Sequence, residues 1–256
     1  MLLKITDKCM MNCTHCLDDA RPDNHNFMNY DTFIKAIDFF NKYGGQTLII
    51  SGGEPTEHPY FWMFLEYALD FVKSFMGIDK GSIVVTTNGM NLTNDIVYSK
   101  IKEYEVKYNH KLLIQVTHVD KYYPIKIDLQ HKIFSLDSVY LCREIESMYP
   151  QGRAVTNNIP IDPHKCNKCF NYRSVTRTYK DLKRSAFELS LRGKFCTPSI
   201  SPNGEIKMGE SRLCPVASNI YKTESEIVED ICNFKCNNCG YNKNLTKEYL
   251  EAVGEI

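Results

Sequence analysis

The sequence predicts an α/β fold: an incomplete parallel (β/α) barrel of about five or six strands over residues 1–156, then a small C-terminal hairpin-and-helix domain over 157–256. Three observations lead there. Short runs of Leu, Ile and Val alternate with helical-period segments through the first 120 residues. The composition turns basic and irregular after Asn157. The chain carries 11 cysteines, and they fall in groups.

A chain of 256 residues buries roughly 70–75% of its extended surface and needs no covalent staples to fold. Lys plus Arg and Asp plus Glu are 31 each, so no whole-chain field draws it to nucleic acid or membrane. No apolar run reaches the ~18 residues of a membrane span, and the opening MLLKITDKC is too short in apolar character for a signal peptide. A cytosolic location follows. In that reducing setting a cysteine surplus points to metal or catalysis rather than disulfides.

Leu2–Thr6 reads as a first strand running into a cysteine loop. Asp31–Tyr43 reads as a helix, with Phe33, Ile37 and Phe40 on one face, Asp31 at its cap and Gly44–Gly45 at its stop. Thr47–Ser51 is a buried strand followed by Gly52-Gly53-Glu54-Pro55, and Pro59–Phe75 a second helix. Ser82–Thr86 is the next strand, closed by Asn88-Gly89; Thr93–Tyr108 is a third helix and Leu112–Thr117 a fourth strand. Ser138–Cys142 and a short run at Gly152–Val155 supply the last strands of the barrel. Beyond Asn157, a helix is expected over Tyr179–Leu191. A hairpin is expected over Thr197–Glu210, turning at Pro202-Asn203-Gly204.

Cys9-x3-Cys13-x2-Cys16 lies in the loop after the first strand. Three thiolates so close in sequence can hold one corner of a cubane and leave its fourth iron open. A structural zinc with a remote fourth ligand is the alternative that spacing alone leaves open. The Gly-Gly-Glu-Pro loop after the second strand bears on the choice. Both loops lie at the carboxyl ends of adjacent strands, where parallel barrels build their sites. Glycines there let a ligand approach the backbone, and Glu54 offers an anion.

The pair resembles the radical SAM superfamily, whose hallmark is CxxxCxxC with an aromatic residue before the third cysteine and a later GGE loop. His15 holds the aromatic position. The resemblance implies a [4Fe-4S] cluster on Cys9, Cys13 and Cys16 whose open iron chelates S-adenosylmethionine. Gly52, Gly53, Glu54 and Pro55 would receive the cofactor's ammonium and His15 would pack on its adenine. Thr86 and Asn88 would line the site, with Thr117 near the ribose.

The later cysteines resemble the twitch and SPASM extensions of that superfamily, a Cys–hairpin–GxxxxC element with further cysteines downstream. By that resemblance Cys196, Cys214, Cys236 and Cys239 bind one auxiliary [4Fe-4S] cluster; a zinc ribbon is the alternative. Cys166 and Cys169, near His164, either join Cys232 in a second cluster or zinc site or replace another pair. Cys142 is either a small buried hydrophobe or a thiol hydrogen donor, and Arg153 either faces cofactor or substrate or makes a surface ion pair.

The activity implied is oxidation of a substrate carbon by way of a 5′-deoxyadenosyl radical, with the auxiliary cluster taking up an electron. Members with such extensions mostly modify peptides, which implies a peptide maturase and, with so few residues before Cys9, a separate peptide-recognition partner. A length of this order and a curtailed barrel are also similar to cyclitol dehydrogenases of the superfamily, so a sugar or cyclitol alcohol is the alternative substrate. An external one-electron reductant such as flavodoxin or ferredoxin is required. A non-catalytic iron–sulfur or zinc scaffold is the remaining alternative, against which the Gly-Gly-Glu-Pro loop argues.

Overall fold

A computed structural model describes residues 1–43, 47–72, 83–108, 111–117, 120–124, 131–142, 148, 151–161, 198–236 and 243–244. The expected helix over 179–191 and Cys166, Cys169, Cys196 and Cys239 lie outside them. Cys232 and Cys236 are placed by backbone alone, in the last turn of a helix and in a short strand.

Five strands and three helices alternate as expected: β1 (Leu2–Lys4), α1 (Tyr30–Tyr43), β2 (Leu48–Ser51), α2 (Phe61–Phe71), β3 (Ile83–Thr87), α3 (Asp95–Tyr108), β4 (Leu112–Val116) and β5 (Val139–Leu141). The start of α1 is held by Asn29, whose side-chain oxygen accepts from the Thr32 N–H at 2.8 Å, rather than by Asp31. A single 3-10 turn over Met90–Thr93 delays α3 to Asp95, where the Asn94 side chain accepts from the Ile96 N–H at 2.8 Å.

Alternation along the strands sorts the side chains between two faces. Leu3, Ile50, Val85, Ile114 and Val139 share one buried cluster with Phe33 and Ile37 of α1, Phe64 of α2 and Ile101 and Tyr104 of α3. Phe33 and Phe64 stack at 4.0 Å between α1 and α2. Lys4 pairs with Ser51, and Thr86, Gln115 and Tyr140 form a row across β3, β4 and β5. These out-of-phase residues make the opposite face polar towards the carboxyl ends of the strands, beyond an apolar row of Leu2, Ile49, Val84 and Leu113.

The sixth strand is not where the sequence placed it. Residues 153–156 form a helical turn, α4 (Arg153–Thr156), not a strand. Gly152 enters it at φ 63°, and Ala154 is fully buried. Docking of this turn against the cysteine loop decides its conformation, and a four-residue run carries too little period to show that. The sixth parallel strand is β6 (Ser199–Ile200), which pairs with the outer edge of β1. It opens the expected hairpin, turning at Gly204 (φ 77°) into β7 (Glu205–Lys207), and β8 (Val216–Asn219) follows.

All eight lie in one sheet ordered β5-β4-β3-β2-β1-β6-β7-β8, in which β7 runs against the other seven. Helix α5 (Glu224–Asn233), with a Thr223/Glu226 capping box, and a small hairpin of β9 (Lys235–Cys236) and β10 (Lys243–Asn244) follow. No described helix is long and apolar enough to cross a membrane.

Candidate active site

The loops after β1, β2, β3 and β4 meet at the carboxyl edge of the sheet, and backbone hydrogen bonds join the first two. Ile5 N–H donates to Ser51 O at 2.9 Å, Gly53 N–H to Thr6 O at 2.7 Å and Glu54 N–H to Lys8 O at 2.7 Å. The ladder of β1 and β2 thus continues past the last strand residue into both loops. Only glycine fits the seam. A Cβ on Gly52 would lie 2.4 Å from Thr6 O, and Gly52 sits at φ 152°.

Cys9 and Cys13 are buried beside Met11 and Ala20, with Cys16 and Tyr123 packed against them. Burial pushes the Cys9 thiol up to about 11 and the Cys13 thiol to about 12, and each thiolate would repel the others. Two donors already reach the sulfurs: Ala20 N–H to Cys16 Sγ at 3.3 Å and Asn88 Nδ2 to Cys9 Sγ at 3.7 Å. Among the described residues no three Cys, His, Asp or Glu side chains converge on one ion. Three thiols of one loop, two buried and the third half-buried, suit a polynuclear iron–sulfur group, in which each thiolate takes a different iron.

Glu54 is 1% exposed, and its carboxylate ties the second loop to the third. One oxygen accepts from the Thr56 N–H (3.2 Å), the Thr56 hydroxyl (2.6 Å) and the Thr87 hydroxyl (2.8 Å); the other accepts from the Asn88 N–H (2.8 Å). Burial holds its pKa above the usual carboxylate value despite those donors. Thr87 was missed in the sequence. Side chains alternate along β3, so Thr87 turns to Glu54, whereas Thr86 donates to Gln115 Oε1 at 3.2 Å on the polar face. Gln115 Nε2 in turn reaches Cys142 Sγ at 2.7 Å.

His15 lies between Tyr122 and Tyr123, with ring centroids at 5.7 and 5.8 Å, the second pair stacked. Burial lowers its pKa to about 4, so the ring is neutral at pH 7, and its Nδ1 is buried without a partner among the described residues. Tyr123 is anchored through its hydroxyl to Thr117 Oγ1 at 2.5 Å. His118 lies outside the described residues.

Arg153 directs its guanidinium at the cysteine loop. Nε donates to Cys13 O at 2.8 Å, and Nη1 and Nη2 donate to Asn12 and Ala20, both at 2.9 Å. On another side, Ser211 and Arg212 of the turn between β7 and β8 bond to Leu17 O (3.0 Å) and Asp18 O (2.7 Å). Cys214, in the same turn, is buried against Gly209, 3.9 Å from Gln151 Oε1.

The family model of the radical SAM superfamily matches residues 3–134, the stretch that carries β1 to β4 and both loops. This chain belongs to the radical SAM superfamily. Radical SAM enzymes use S-adenosylmethionine and a [4Fe-4S] cluster and need an electron donor. Over 99 residues the chain is 32% identical to a GTP 3′,8-cyclase of Actinobacillus succinogenes, covering 37% of this chain and 27% of that protein. It is 31% identical over 100 residues to a tungsten-containing aldehyde ferredoxin oxidoreductase cofactor-modifying protein of Pyrococcus furiosus, with coverage of 38% and 26%. A third relative is an S-adenosylmethionine-dependent nucleotide dehydratase of a Thermoplasmatales archaeon, 31% identical over 93 residues, with coverage of 36% and 30%. The match thus spans under a third of each relative's length. A solved structure described as native anSMEcpe with bound AdoMet and Cp18Cys peptide aligns over 98% of this chain and 81% of that one, at 12% identity and a TM-score of 0.49.

Proposed function

We propose that this protein is a cytosolic radical SAM oxidoreductase that removes hydrogen from a carbon of a peptide and passes the remaining electron to an auxiliary cluster. The observation that supports the radical reading is the lacing of the cysteine loop to the Gly-Gly-Glu loop, Gly53 N–H to Thr6 O and Glu54 N–H to Lys8 O, both at 2.7 Å. In this reading Cys9, Cys13 and Cys16 hold the cluster. His15, Gly52, Gly53, Glu54, Pro55, Thr86, Asn88 and Thr117 surround the cofactor.

Bound together, the cluster and S-adenosylmethionine supply a 5′-deoxyadenosyl radical on one-electron reduction, for which the donor is a flavodoxin or ferredoxin. The chain's own share is placement. Three donors converge on Glu54 Oε1 and one on Oε2, so Oε2 keeps an acceptor site for the ammonium. Asn88 steadies the Cys9 sulfur. Tyr122 and Tyr123 over His15 keep water from the loop.

The peptide substrate and the auxiliary cluster on Cys196, Cys214, Cys236 and Cys239 follow from the resemblance of the late cysteines to twitch and SPASM extensions. The division of the chain near 156/157 rests on the change of composition after Asn157. Cys166 and Cys169 either join Cys232 in a second cluster or zinc site or replace another pair in the auxiliary cluster. A sugar or cyclitol alcohol is the second reading, favoured by the polar row Thr86, Gln115 and Tyr140 across β3, β4 and β5.

The test is anaerobic reconstitution with iron, sulfide, S-adenosylmethionine and a reductant. Release of 5′-deoxyadenosine supports the enzyme; none from fully loaded protein leaves a scaffold. A co-expressed peptide that loses two hydrogens supports the first substrate, and an alcohol converted to a ketone the second.

A further inference from the structure

We infer that Arg153 is a positioning residue that clasps both ends of the Cys13–Cys16 segment and sets a buried positive charge beside the cluster those thiols hold. The inference rests on the reading of Cys9, Cys13 and Cys16 as the cluster ligands.

The clasp is complete on the described residues. Arg153 is 9% exposed. Its Nε bonds to Cys13 O at 2.8 Å, and Nη1 reaches Asn12 Oδ1 at 2.9 Å, just before that cysteine. Past Cys16, Nη1 also reaches Asp19 Oδ1 at 3.3 Å and Nη2 bonds to Ala20 O at 2.9 Å. Its own backbone N–H donates to Cys16 O at 2.9 Å. Asn12 (φ 46°) and Asp19 (φ 51°) both sit in the left-handed region. The two sharp bends that fold the loop back on itself are therefore the two points the fork grips. Asn157 Nδ2 adds a bond to Thr14 O at 2.8 Å, so α4 and its C-cap each present a side chain to one loop.

A planar fork with several fixed donors can bridge both flanks at once; a single ammonium cannot. The charge is only partly answered. Asp19 is shared with Arg21 at 3.0 Å and Arg212 at 3.7 Å. Reduction adds an electron to the cluster, and a fixed cation nearby in a poorly solvated site favours the reduced state. Arg153 thus raises the potential at which the cluster accepts its electron.

The experiment uses the full chain, purified anaerobically, as Arg153→Gln and Arg153→Lys. Iron is counted, and the paramagnetic signal of the reduced cluster is followed during a redox titration. A Cys9→Ala variant identifies which part of the signal belongs to the first loop. Arg153→Gln with wild-type iron is expected to titrate at a lower potential. Arg153→Lys is expected to keep a potential near wild type while losing iron to a chelator faster.

An unmoved potential in fully loaded Arg153→Gln overturns the inference. If Arg153→Gln does not load, Arg153→Lys decides. Loading with a near wild-type potential supports the inference. A lowered potential, or failure to load with wild-type circular dichroism, overturns the role of the charge. If Cys9→Ala keeps all its iron and signal, the cluster reading itself fails, and that outcome is separate from the others.

Discussion

Gly53 lies directly on the backbone of Lys8: a Cβ at Gly53 would stand 2.1 Å from the Lys8 carbonyl oxygen, the same oxygen that accepts from the Glu54 N–H at 2.7 Å. The cofactor loop and the cysteine loop are therefore one laced unit. Gly53→Ala is expected to push the loops apart, at a cost of about 1–3 kcal/mol in stability. Urea denaturation and equilibrium binding of S-adenosylmethionine measure the two effects. Wild-type values in both would mean that the loops are not tightly joined.

Glu54→Gln replaces an acceptor-only group by one that carries two donors. The new amide must turn a donor towards the N–H of Asn88 or Thr56. The expected loss is about 1–3 kcal/mol in stability, together with weaker cofactor binding. The pH dependence has an unusual sign. Burial holds the folded pKa of Glu54 above its ordinary value of 4.5, so the folded protein binds the proton more tightly than the unfolded chain does. Its contribution therefore becomes less favourable as pH rises from about 4.5 through the raised value. In cofactor-free protein, the stability gap between wild type and Glu54→Gln should be wider at pH 5 than at pH 8, by urea denaturation. A gap that widens with pH would contradict the sign.

Gly152→Ala tests the support of the cysteine loop from a distant segment. The added Cβ would lie 2.3 Å from Cys16 O and 2.6 Å from Leu17 O, at a φ of 63° that an alanine resists. The variant is expected to fold with near wild-type circular dichroism and to lose iron from the first cluster. Iron content and visible absorbance check this, and undiminished iron would show that the contact yields easily.

Removing Cys9, Cys13 and Cys16 together is expected to take away about four irons and abolish S-adenosylmethionine cleavage. Wild-type protein should then contain about eight irons, or about twelve if Cys166 and Cys169 support a third cluster. Cys214→Ala and Cys239→Ala should still release 5′-deoxyadenosine but lose oxidised product. Cys239→Ala is the cleaner of the two, because Cys214 shares a turn with Ser211 and Arg212, which hold Leu17 and Asp18. Product at the wild-type rate from a folded Cys239→Ala variant would remove the auxiliary cluster from electron uptake.

Residues up to 120 were legible because each element there answers to local rules. The apolar runs of β2 and β3, the spacing of Phe33, Ile37 and Phe40, and the glycines at 52 and 53 all act through near neighbours. What escaped the sequence depends on partners far along the chain. Ser199 and Ile200 read as half of a hairpin, yet they also pair with Leu2 and Leu3. Gly152-Arg153 looked like the start of a strand because its partner, the Cys16–Leu17 backbone, lies well over a hundred residues upstream. Thr87 escaped because sequence position alone does not say which of two adjacent threonines faces a carboxylate.

The central place of β1 fixes an order of assembly. Strands β2 to β5 can join β1 as they leave the ribosome, but its other edge waits for Ser199 and Ile200. The second fastening of the cysteine loop, by Ser211 and Arg212, reaches back 194 positions. A nascent chain short of that point carries an open strand edge and a loop held from one side only. In the reading of Cys9, Cys13 and Cys16 as cluster ligands, the loop is braced from both sides only once Ser211 and Arg212 have joined it, so iron loading is expected after that point and not on a shorter chain.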